Sequence, residues 1–123
     1  MKLNPDCVRD ILLSIEELTG IGKVIVFSTA KNLNLDQYSD EEIAYHIQQC
    51  EYSSLIIVSS RFINGGCIIR DLTPSGHEFL ANIRSNNNWN KTKEISKKVG
   101  STSLNVMSQI AANVISELLK KSF

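Results

Sequence analysis

The chain has 123 residues, 42% hydrophobic and 21% charged, with thirteen Lys/Arg balanced by thirteen Asp/Glu. Such a length holds one domain (1–123) around a single core, and the composition excludes a disordered or fibrous chain. No apolar run approaches the ~20 residues that span a bilayer, and the opening MKLNPDCVRD lacks an apolar signal core; three cysteines without paired spacing suit a reducing compartment. A cytoplasmic location and no membrane partner are therefore expected.

Asn4-Pro5 predicts the start of a first helix, because Asn accepts from free N–H groups and Pro is preorganised at the first helical position. Val8, Ile11, Leu12, Ile15 and Leu18 form its apolar stripe, and Gly20 or Gly22 ends it near Thr19. Lys23–Ser28 reads as a short strand that pairs as the third strand beside a later hairpin. Thr29–Tyr38 is polar, so any helix there is short or missing. Ser39 with Glu42 fits a capping box and starts a second helix at Asp40, with Ile43, Ile47 and Cys50 facing the core. Leu55–Val58 and Cys67–Leu72 then flank Asn64-Gly65-Gly66, the pattern of a hairpin.

Thr73-Pro74 caps a further helix that buries Phe79, Leu80 and Ile83. Ser85-Asn86-Asn87-Asn88 reads as a polar loop before a helix over Trp89–Val99, with Trp89, Thr92, Ile95 and Val99 on its buried side. A last helix begins behind Ser101 or Ser103 and reaches about Lys120. Its stripe of Leu104, Met107, Ile110, Ala111, Val114, Ile115, Leu118 and Leu119 is wide enough to cover the first helix, a second subunit, or both.

Charge is unevenly spread. Residues 1–83 hold six Lys/Arg against eleven Asp/Glu, net −5, and residues 84–123 hold seven against two, net +5. Such asymmetry fits either a nucleic-acid contact or attraction between subunits.

The segment IAYHIQQCEYSSLI (Ile43–Ile56) resembles the recognition helix and following strand of bacterial winged-helix regulators of the arsenical-repressor and multiple-antibiotic-resistance types. DLTPSGHEFL (Asp71–Leu80) resembles the segment that leaves the wing in that group. MKLNPDCVRDILL, YSDEEIAYHI, LTPSGHEFLANIR and WNKTKEISKKVGSTSL together resemble a small family of Gram-positive bacteria and their prophages, domain of unknown function twenty-five thirteen. These likenesses imply an α+β, mostly helical fold: a winged-helix-like core over 1–80 and a C-terminal helical extension over 81–123. The family likeness implies no assigned activity. The function expected from the winged-helix likeness is a small regulator-like protein, of prophage origin, that binds double-stranded DNA, and the wide apolar stripe of the last helix adds the expectation of a homodimer. The alternative is a protein–protein interaction module, a phage or host factor, on the same scaffold without DNA binding.

On the DNA reading, Tyr45, His46, Gln48 and Gln49 face outward into a major groove, where Gln pairs with adenine, while Arg61 and Arg70 supply the wing's cations. Against it, Asp40, Glu41 and Glu42 stand where phosphates would lie. Met107, Ile110, Val114 and Leu118 are the expected dimer interface. The cluster Lys91, Lys93, Lys97 and Lys98 with Arg84 reads as solvated surface. His46 and Cys50, with Cys67 and His77, have spacing that only permits zinc, so no metal or cofactor is expected. Asp71, His77 and Glu78 assemble no usual catalytic geometry, and the chain is not expected to be an enzyme.

Overall fold

The computed structural model describes residues 1–123 as an α+β, mostly helical chain. Helix α1 (Pro5–Leu18) is followed by strand β1 (Ile25–Phe27), a short 3-10 helix (Ala30–Leu33) and helix α2 (Asp40–Tyr52). The hairpin strands β2 (Ile56–Arg61) and β3 (Cys67–Leu72) come next, then α3 (Pro74–Ile83), α4 (Asn86–Val99) and α5 (Leu104–Ser122). The chain forms two compact units, Met1–His77 and Glu78–Phe123. No helix is long and apolar enough to cross a membrane.

In the first unit the helix starts follow from their caps. Asn4 Oδ1 accepts from the N–H groups of Asp6 at 3.0 Å and Cys7 at 3.4 Å, and Ser39 Oγ accepts from Glu42 N–H at 3.1 Å. Cys7, Val8, Ile11, Leu12 and Ile15 of α1 are buried, as are Ile43, Ile47 and Cys50 of α2. Each such large aliphatic side chain contributes ~1.5–3 kcal/mol of transfer free energy, which offsets the entropy of ordering the helix.

The three strands form one antiparallel sheet in the order β1-β3-β2, with Ile25 opposite Ile69 and Phe27 opposite Cys67. The β2–β3 register shifts twice between Ile57 and Ser60. The hairpin loop runs from Phe62 to Gly66, longer than the Asn64-Gly65-Gly66 turn the sequence suggested. Phe62 N–H donates to Gly66 O at 2.8 Å, and of the three turn residues only Gly65 has a positive φ, 90°. Gly66 is required for another reason: a Cβ there would lie 2.6 Å from the Phe27 carbonyl oxygen.

Thr29–Tyr38 is less polar in effect than in composition. Ala30, Leu33 and Leu35 are buried, and Asn32 Oδ1 accepts from the N–H groups of Ser28 and Thr29, both at 2.9 Å. One short 3-10 turn therefore replaces a full helix. Thr73 closes the unit by donating to Ser54 O at 2.6 Å and accepting from Gly76 N–H at 3.0 Å.

In the second unit, α4 begins at Asn86, three residues before the expected Trp89. Ser85 is the N-cap and accepts from Asn88 N–H at 3.1 Å, so the three asparagines form a first turn instead of a loop. Val99 is 59% exposed and is not part of the buried side; Trp89, Thr92 and Ser96 are. Gly100, at φ 76°, ends α4, and Ser103 starts α5 by accepting from Val106 N–H at 3.2 Å. Leu104, Met107, Ile110, Ala111 and Val114 are the buried residues of α5.

Candidate nucleic-acid interface

The six residues expected to touch DNA lie on α2 and on the hairpin that follows it, but they are not alike. Tyr45, Gln48 and Gln49 are half-buried on α2, which leaves part of each side chain in solvent. Gln48 Nε2 donates to Tyr52 OH at 2.9 Å, one turn further along the same face. Tyr52 itself is 69% exposed. These four side chains form a polar, aromatic surface with hydrogen-bonding capacity but no cation.

His46 does not belong to that surface, contrary to the sequence expectation. It is 0% exposed. Its Nε2 accepts from Asn4 N–H at 2.8 Å and its Nδ1 lies 2.8 Å from Glu42 O. A carbonyl only accepts, so Nδ1 carries the proton and the ring is the neutral Nδ1–H tautomer. The ring satisfies an otherwise free N–H at the start of α1 and so fastens α1 to α2. Tyr45 meets this ring edge-on, with centroids 5.2 Å apart at 81°. The spacing 43-46-47-50 already places His46 on the same stripe as Ile43, Ile47 and Cys50, and that signal could have identified it as a core residue.

The acidic start of α2 is also partly structural. Asp40 Oδ1 accepts from Ala30 N–H at 2.8 Å, which fixes the 3-10 turn to the helix start. Glu41 is exposed and Glu42 half-buried, so carboxylates remain at the end of α2 where an incoming phosphate would lie.

On the hairpin, Arg61 forms an ion pair with Glu51 of α2, and its charge is compensated before any ligand arrives. Arg70 is exposed on β3. The loop tip is apolar: Phe62 is 43% and Ile63 109% exposed. Counted over Met1–His77, six Lys/Arg face ten Asp/Glu, a net of −4; over Glu78–Phe123, seven face three, a net of +4.

Of the expected dimer residues, Met107 is 0%, Val114 4% and Ile110 8% exposed within a single chain, and only Leu118, at 43%, offers a free side chain. The lysines of α4 are exposed except Lys93, which is half-buried with its Nζ 5.4 Å from the Trp89 ring centroid. Lys98 pairs with Glu94 at 3.5 Å.

No group of three or more His, Cys, Asp or Glu side chains is placed to hold a metal ion. His46 spends both ring nitrogens on backbone groups, while His77 sits 3.7 Å from Asp71, both about half-exposed. The cysteines are all buried and free. Burial, reinforced by the carboxylates of Glu42 and Asp10, pushes the Cys7 thiol up to about 12. Burial, with a smaller contribution from Cys7, pushes Cys50 to about 12, and burial also raises Cys67 against the opposing pull of Arg61. Protonated thiols of this kind are poor nucleophiles. Tyr38 is raised as well, first by burial and then by its 2.6 Å hydrogen bond to Asp10.

A family model described as "Hypothetical protein (DUF2513)" matches residues 2–103, and the chain belongs to that family. A relative from Haemophilus influenzae, described as "Uncharacterized protein", is 32% identical over 126 residues, covering 97% of this chain and 99% of its own length. No solved structure matches the chain.

Proposed function

We propose that Met1–His77 is a winged-helix scaffold and that the protein is a small DNA-binding, regulator-like factor that presents α2 and the β2–β3 hairpin to duplex DNA. The observation that carries this reading is topological. A helix, a strand, a short helical turn, a second helix and a hairpin, with the first strand beside the last in the order β1-β3-β2, supports a winged helix with α2 at the recognition position. Tyr45, Gln48 and Gln49 are the base-facing candidates and Arg70 the phosphate contact; Tyr52 joins them, while His46 and Arg61 are withdrawn.

A second reading is favoured by the charge. A net of −4 on this unit, carboxylates at the head of α2 and the apolar tip Phe62-Ile63 suit a protein partner better than a polyanion. A prophage origin is compatible with either. The dimer is left out of the proposal, because Leu118 alone among the four expected residues cannot build the ~800 Å² per partner of a stable interface.

Fluorescence anisotropy with random-sequence duplex DNA, titrated over salt, separates the two readings. DNA binding predicts log affinity falling with log salt at a slope of about 3 or more, and weaker binding in Arg70→Glu. Absence of binding at low salt overturns the DNA reading and leaves the protein-interaction module.

A further inference from the structure

The helical unit Glu78–Phe123 carries a groove of about 270 Å³ between α4 and α5. Ile95, Ile110, Val114 and Leu118 supply its apolar surface, with Asn113 and Glu117 along α5. Lys91 of α4 and Lys121 of α5 reach it from different helices. The charges there are not balanced. Glu117, on the lining itself, is already compensated by Lys120 at 3.5 Å, whereas neither Lys91 nor Lys121 has a carboxylate within ion-pair distance. Hydrocarbon walls flanked by two unpaired ammonium groups complement a molecule with an apolar body and one anionic end. A second copy of α5 in the groove would instead bring further lysines, Lys120 and Lys121, towards the same charges.

We propose that the α4–α5 groove is a binding site for a small amphiphilic carboxylate, of the size of a medium-chain fatty acid such as octanoate. The volume is near the lower limit of small-molecule pockets, ~300 Å³, which excludes long lipids and bulky cofactors. The hydrocarbon covers Ile95, Ile110, Val114 and Leu118, and the carboxylate accepts charge-assisted hydrogen bonds from Lys91 and Lys121. This site is independent of the DNA reading, since all its residues lie in the helical unit.

The test is methyl NMR on the full chain, titrated with sodium octanoate and, separately, with 1-octanol. Octanoate is expected to shift the methyl signals of Ile95, Ile110, Val114 and Leu118. The double substitution Lys91→Gln with Lys121→Gln should weaken octanoate binding by about tenfold or more while leaving that of octanol unchanged. Both lysines are exposed, so the variant keeps its fold, and an unchanged amide spectrum confirms that. Three results overturn the proposal: no methyl shift with octanoate below its micelle concentration, equal affinity for octanoate and octanol, or groove methyls that shift with protein concentration alone, which marks a second copy as the occupant.

Discussion

In Met1–His77, side chains from one element close the backbone of another: His46 of α2 accepts from Asn4, Asp40 accepts from Ala30, Tyr38 donates to Asp10 of α1, and Thr73 donates to Ser54. In Glu78–Phe123, the side-chain bonds of Ser85, Thr92, Ser96, Ser103 and Ser122 all close within five residues of chain. The first unit thus joins separate elements through polar pairs distant in sequence, while the serine and threonine bonds of the second are local caps and turns. A buried polar pair is costly to break from one side, whereas a cap costs about 1 kcal/mol to remove. The units should therefore respond differently to the same kind of damage.

The largest expected difference comes from alkaline pH, because all three cysteines lie in the first unit. Below about pH 9 the thiols of Cys7 and Cys50 are protonated whether the chain is folded or not, and their contribution to stability is intact. Above it the unfolded chain loses those protons, while the folded chain keeps them until about 12. Folding then binds protons, so stability falls by about 1.4 kcal/mol per pH unit for each thiol. Amide exchange followed from pH 8 upward, corrected for intrinsic rates, should show α1 and α2 losing protection ahead of α4 and α5. Equal losses would show that the units open as one, with no difference in how they are held.

His46→Leu gives a smaller and more local effect. Leucine fits a buried site but cannot accept from Asn4 N–H, and leaving that donor unpaired costs about 1–3 kcal/mol. Urea unfolding should show the loss, with His46→Gln recovering part of it by restoring an acceptor. A variant as stable as the parent would mean that α1 does not depend on this tie.

The same contrast explains what could be read from the chain. Caps at Asn4 and Ser39 were legible, and that of α5 was narrowed to Ser101 or Ser103, because each is a short-range pattern of a polar acceptor before an apolar period. The β1–β3 pairing was legible as an expectation because Val24–Phe27 is a branched apolar run in a polar stretch. The burial of His46 was open to the same helical spacing, but its tie to Asn4 and the double duty of Asp40 were not, since the partners Asn4 and Ala30 lie 42 and 10 residues away. At the site, Gln48 and Gln49 could be placed from helical spacing alone. The pairing of Arg61 with Glu51 needed the packing of β2 against α2, which no local pattern encodes. The α4 boundary failed for a different reason. Three asparagines compete for backbone hydrogen bonds and suggest a loop, but a first turn has free N–H groups in any case and tolerates them behind the Ser85 cap.

The smallest effect belongs to the second unit, at the turn between its long helices. Gly100 sits at φ 76° with no heavy atom within 4 Å of where a Cβ would stand, and its N–H donates to Ser96 O at 3.0 Å and Lys97 O at 3.2 Å. Gly100→Ala therefore meets no clash and carries only the cost of holding a Cβ-bearing residue in the left-handed region, about 1–2 kcal/mol, partly offset by the lower entropy of the unfolded chain. Thermal unfolding should show a modest loss, and Gly100→Asn a smaller one, because Asn tolerates this conformation. If Gly100→Ala instead lowers stability as much as His46→Leu, the turn constrains the helical pair more than its local bonds indicate, and the second unit too depends on more than cap and period.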